Sequence, residues 1–175
     1  MRKDGFTLIE LLITFVVLGT LASIAIPGFS RLLPNYRLRT AARDVFSTFQ
    51  LAKLTSIKRN SYCTVTFNQA IGGKTYDYVA YVDSDNDLEY DAGEDIISKV
   101  LLANYKDVSF DLSQGGGDGL TFSDNDDNLP SIAFSPTGLP KDNAGNLGSG
   151  TAYFKNTKNR IVSVAVSSAG NIRIQ

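Results

Sequence analysis

The side chains of this chain best placed for chemistry are acids. Asp83, Asp85, Asp87, Asp91 and Glu94 stand at positions 1, 3, 5, 9 and 12 of one short stretch, the spacing that converges oxygens on a hard cation such as calcium. Position 6 breaks the pattern, because Leu88 occupies the place where such loops need glycine for a sharp turn. The flanks read as strands rather than helices, so a solvated turn is the stronger expectation, with calcium the only cofactor given a place at all. A second acid, Glu10, lies alone in an apolar run, where a carboxylate in hydrocarbon costs about 2.5–3.5 kcal/mol on insertion scales. Histidine is absent, which removes the commonest general base, the histidine-based nucleophile triads and the commonest transition-metal ligand. Cys63 is the single cysteine, set in an alternating apolar run that suits a buried structural thiol. The glycines of 114–119 precede no Gly-Lys-Ser/Thr and open no helix, so they are not a phosphate loop. No enzyme is expected.

The elements that must position these residues follow from hydropathy and period. Between Leu11 and Ile26 there is no charge. As a helix, residues 6–29 would rise about 36 Å, enough to cross a bilayer. Arg2 and Lys3 just before the run predict a cytoplasmic N-terminus and an exported remainder. Leu38, Ala42, Val45, Phe49 and Ala52 then form the stripe of an amphipathic helix lying on a core, expected to reach about Lys58. Pro27 and Pro34 should bend the helix between its two halves. Arg37, Arg39, Arg43, Lys53, Lys58 and Arg59 make the second half basic, which reads as a solvated face.

Beyond Asn60 the period becomes two. Short strands are predicted at 62–67, 76–82, 96–103, 108–112, 131–134, 152–155, 160–166 and 172–174, separated by turn residues. Stretches 114–128 and 141–150 read as mobile, glycine-rich loops. One long helix followed only by strands predicts an α+β fold: a kinked N-terminal helix packed on antiparallel β-sheet. A chain of 175 residues fits one such domain plus an appendage.

Gly5-Phe6-Thr7-Leu8-Ile9-Glu10 resembles the processing site of type IV prepilins and type II secretion pseudopilins. The resemblance implies a leader at 1–5, cleavage after Gly5 by prepilin peptidase and N-methylation of Phe6. It also implies a transmembrane and filament-core helix at 6–29 carrying Pro27, an amphipathic half at 30–60, and a β-rich periplasmic head at 61–175. The stretches 39–45, 52–53, 57–60, 83–95, 132–138 and 164–174 are similar to the minor pseudopilin H family of type II secretion, which shares its domain with a minor pilin of type IV pili. Implied partners are prepilin peptidase, the major and other minor pseudopilins, the inner-membrane assembly platform and the inner membrane itself. Relatives that take up DNA carry a Gly-Arg-x-Arg element where this chain has Gly170-Asn171-Ile172-Arg173. Lys155, Lys158, Arg160 and Arg173 could still meet phosphates, but so few cations make nucleic acid the weaker alternative. For Glu10, cleavage would create a cationic amine at Phe6 four residues earlier, placed on the same helical face. In a stack of subunits the carboxylate could pair with a neighbour's amine and so fix one axial register.

Overall fold

The structure, a computed structural model, describes residues 6–175; Gly5 and the leader lie outside the described residues. A single helix, α1, spans Leu8–Arg59 and passes through both Pro27 and Pro34. Each proline withdraws one ladder donor, yet neither ends the helix. Thr7 is the N-cap, and Asn60 closes the other end in the left-handed conformation, with its amide donating to the Ser56 carbonyl. Lys58 and Arg59 sit in the last turn, where cations favour the helix dipole.

The strands are β1 (Tyr62–Ile71), β2 (Lys74–Asp83), β3 (Ile96–Val100), β4 (Val108–Phe110), β5 (Ser131–Phe134), β6 (Pro140–Lys141), β7 (Gly150–Asn156), β8 (Ile161–Val166) and β9 (Ile172–Ile174). They form two antiparallel sheets, ordered β3-β2-β1-β5-β6 and β4-β7-β8-β9, and both pack on α1. The expected stripe is the seam: Leu38, Ala42, Val45, Phe49 and Ala52 are all buried. Phe49 lies at its centre, with ring centroids 5.7 to 6.4 Å from Phe67, Phe122 and Phe134. Tyr78 of β2 ties helix to sheet by donating its hydroxyl to the Asp44 carboxylate at 2.7 Å.

Several boundaries differ from the sequence reading for local reasons. The β1–β2 hairpin is longer because Gly72 and Gly73, at φ 60° and 79°, make a two-residue turn that carries the pairing to Ile71 and Lys74. The third strand stops at Val100 rather than 103, since the Leu102 amide donates to the Asp77 carboxylate and buried Leu102 opens a 3-10 turn. The fourth stops at Phe110, where the buried Asp111 carboxylate takes the Ser113 amide and hydroxyl and turns the chain. Residues 114–119 are a packed series of turns. A Cβ at Gly115 would come within 2.2 Å of the Leu120 backbone.

Candidate functional site

Three surfaces deserve a functional reading, and the first is the start of α1. All described side chains of residues 8–29 are exposed, so this half of the helix has no cover within the chain. Leu8–Ile26 is long and apolar enough to cross a membrane. Glu10 Oε2 accepts the Thr7 amide at 2.9 Å and the Thr7 hydroxyl at 2.8 Å, and the Glu10 amide reaches back to Thr7 Oγ1 at 3.3 Å. This is a reciprocal capping box. Phe6 therefore precedes the N-cap and is not part of the helix. Phe6 thus does not share a helical face with Glu10 as expected: Thr7 takes the N-cap and the carboxylate points back toward the Phe6–Thr7 peptide, whereas pairing with a processed amine concerns the cut chain. The signal was present in the sequence as Thr-x-x-Glu before an apolar run, and the reading above missed it.

The second surface is the acidic turn between β2 and β3. Ligand atoms of Asp83, Asp85 and Asp87 lie within 4.8 Å of one another; Asp91 and Glu94 are not in that cluster. Asp83 is fully buried and its oxygens are already engaged, Oδ1 by the Asn86 amide and Oδ2 by Thr64 Oγ1 and the Leu88 amide. Glu94 accepts the amides of Ser84 and Asp91, which closes the turn on itself. The glycine-like corner forms in spite of Leu88, which adopts φ 64°. Its side chain is anchored in the core, and its carbonyl accepts Asn125 Nδ2 at 2.9 Å, so packing and hydrogen bonds offset the backbone strain. Burial pushes the Asp83 and Glu94 carboxyls above their ordinary range against the pull of those amide bonds. Glu89 is also raised, first by burial and then by Asp127, Asp87 and Asp126 around it.

The third surface is the opposite, helix-root end of the head. Arg37 pairs with Asp107 at 2.8 Å, and Asn156 Nδ2 donates to Asn35 Oδ1 at 2.9 Å, which fixes the β7–β8 turn beside the helix. Arg39 and Arg43, one turn apart, line a groove of about 440 Å³ together with Arg160. The four candidate phosphate contacts do not converge on one surface. Lys155 is engaged by Asp111 at 3.2 Å, while Arg160 and Arg173 line separate grooves. The Lys158 amide donates to Asn156 Oδ1 within the turn. Lys53 reaches across to the Gly170 carbonyl at 2.8 Å, holding the β8–β9 turn, where Gly170 has φ 78°. A Cβ there would also approach the Gly138 carbonyl at 3.0 Å.

Residues 41–170, which take in the core half of α1 and strands β1 to β8, match the family model for Type II transport protein GspH. The chain belongs to the GspH family. Residues 1–26 match the prokaryotic N-terminal methylation motif, so the segment that carries Glu10 and the uncovered helix is of prepilin type. Among curated proteins the GspH-family chain is similar to the Pilin-like protein PilA1 of Thermus thermophilus, 35% identical over 97 residues. That match covers 54% of this chain and 58% of the relative's length. No solved structure matches. The protein is thus a type IV pilin-like member of the GspH family with an α+β head. Its methylation motif implies prepilin-peptidase processing and assembly with other pseudopilins, and the single apolar helix fits a single-pass inner-membrane protein.

Proposed function

We propose that this GspH-family chain is a structural minor pseudopilin of a type II secretion system, without enzymatic activity. In this reading it inserts with its N-terminus in the cytoplasm, is cut after Gly5 and methylated at Phe6. It then joins the periplasmic pseudopilus alongside major and other minor pseudopilins, extracted by the inner-membrane assembly platform. The carrying observation is the change of environment along one helix. Residues 8–29 expose their apolar side chains, whereas from Leu38 onward the same helix is built into a core. Such a helix needs lipid first and neighbouring helices afterwards. Glu10 would give that transfer its register, exchanging its intramolecular Thr7 bonds for the processed amine of a neighbour.

A second reading is favoured by the pilin-like relative: the same subunit in a type IV pilus, priming assembly or aiding DNA uptake. Deletion of the gene separates the two. The secretion reading expects loss of exported proteins with motility and transformation intact. Loss of transformation or pilus-driven motility with secretion intact would replace it by the pilus reading.

A further inference from the structure

The head meets the apolar half of α1 at the root of the helix, and two bonds tie the β7–β8 turn to that level. Asn156 Nδ2 donates to Asn35 Oδ1 at 2.9 Å, and Asn156 Oδ1 in turn accepts the Arg160 amide at 3.0 Å. Arg160 thereby joins Arg39 and Arg43 around the groove, with Ile161, Val162 and Ile174 beside them. All three arginines are exposed, and among the described residues none makes a side-chain ion pair. The carboxylates of the neighbouring segments are already engaged, Asp107 by Arg37, Asp44 by the Tyr78 hydroxyl and Asp111 by Lys155. The positive charge of the groove is therefore not neutralised within the described residues.

We infer that this groove holds the phosphate of an anionic phospholipid while the subunit stands in the membrane. The inference rests on the membrane-anchored stage of the reading above and adds the head's contact with the bilayer surface. The levels match. Residues 11–33 rise about 35 Å as helix, which a modest tilt fits to a hydrocarbon layer about 30 Å thick. Arg31 lies in the last turn of that stretch, where the interface tolerates a charge. Exposed Leu32, Leu33 and Tyr36 then stand at the boundary, the depth at which tyrosine concentrates. Arg39 is about 9 Å and Arg43 about 15 Å beyond Leu33 along the axis. Helical side chains tilt toward the N-terminus, which here is toward the lipid. The headgroups add about 5–8 Å to each side of the hydrocarbon, so Arg39 reaches phosphate level and Arg43 meets the same headgroup one turn further out.

The make-up of the groove selects among phosphates. Guanidinium forks take phosphate oxygens in pairs. Ile161 and Ile174, 47% and 42% exposed, add apolar surface that the glycerol and first methylenes of a lipid cover and a free phosphate does not. Nucleic acid would have to approach at the level of anionic headgroups, where like charge opposes it. A headgroup held there fixes the rotation of the head about the helix axis, and extraction of the subunit from the membrane breaks the contact.

The test uses the full-length chain in lipid vesicles. Gln175→Cys puts a thiol at the edge of the groove, and native Cys63 is buried, so a fluorophore labels the new site selectively. Its quenching by a trace of lipid carrying a headgroup nitroxide is compared in phosphatidylcholine vesicles and in mixed phosphatidylcholine–phosphatidylglycerol vesicles. Quenching should be about twofold stronger or more in the anionic vesicles. R39E with R43E should remove the difference, while K99E with R173E, an equal charge change at exposed positions outside the groove, should leave most of it. Equal quenching in the two vesicles, with the helix inserted, overturns the inference and leaves anchoring standing. A difference that R39E with R43E spares, or that the control pair removes equally, overturns it as well, because general charge attraction would then suffice. Loss of the difference to inorganic phosphate at constant ionic strength reassigns the groove to the free anion and overturns the lipid. A chain that alkaline extraction strips from the vesicles would sink the anchored reading itself, and this inference with it.

Discussion

The two halves of α1 obey different rules although one backbone runs through both. From Leu38 to Ala52 the helix shows the three-and-four spacing of a core face, and the residues of that stripe are buried by the two sheets of the same chain. Residues 11–26 carry no charge on any side, and residues 8–29 are exposed throughout their described positions. The first kind of pattern encodes an intramolecular partner and the second an environment. A mutation in the head should therefore act on folding, and one near the N-terminus on assembly.

The largest separation is expected at Glu10. Glu10→Ala should lower the chain in the filament fraction by tenfold or more, while the melting of the head in detergent stays unchanged. Entry at the wild-type level would end the register role of this carboxylate. Within the head, Phe49→Ala removes the ring at the centre of the aromatic cluster and should cost about 3–5 kcal/mol, read from denaturant unfolding of the full chain in detergent. A loss of under about 1 kcal/mol would mean that the helix–sheet seam is not the core. Tyr78→Phe removes one of the phenols facing Asp44, leaving Tyr105, and should cost about 1–2 kcal/mol, with assembly intact if the head still folds.

Smaller effects probe the carboxylates of the head. Asp83 and Glu94 hold their protons more tightly folded than unfolded. Their contribution is present in full below the unfolded carboxylate pKa and is lost as pH rises through the higher folded value. Head stability should thus rise on mild acidification from neutral, opposed by Asp111, whose carboxyl is lowered by Ser113 and Lys155. A fall in stability over the same range would contradict that sign. Calcium is the weakest expectation. With both Asp83 oxygens engaged, millimolar calcium should move the melting temperature by under about 2 °C. A larger, saturable rise would restore the turn as a cation site.

Much of the architecture was legible because its determinants are local. The core stripe, the centres of eight strands and the turn at Gly170 follow from period and turn chemistry over a few residues. The Gly72-Gly73 hairpin and the Thr7–Glu10 capping box were equally local and were passed over. The short β6 carried no periodic signal, since two residues cannot show one. Leu88 misled for a physical reason: a rule about intrinsic backbone preference gave way to burial and to the hydrogen bonds that Thr66 and Asn125, from elsewhere in the fold, donate to its carbonyl.

From sequence alone came the prepilin-type start, the uncovered helix, the absence of histidine and the membership suggested by the head motifs. These depend on which residues are present and on spacing along the chain. Only the tertiary structure decided that Arg39 and Arg43 would meet Arg160 and that Lys155 would be engaged by Asp111. Charge is counted along a sequence but acts through space. Residues more than a hundred positions apart became neighbours only when β7 and β8 closed against the root of the helix.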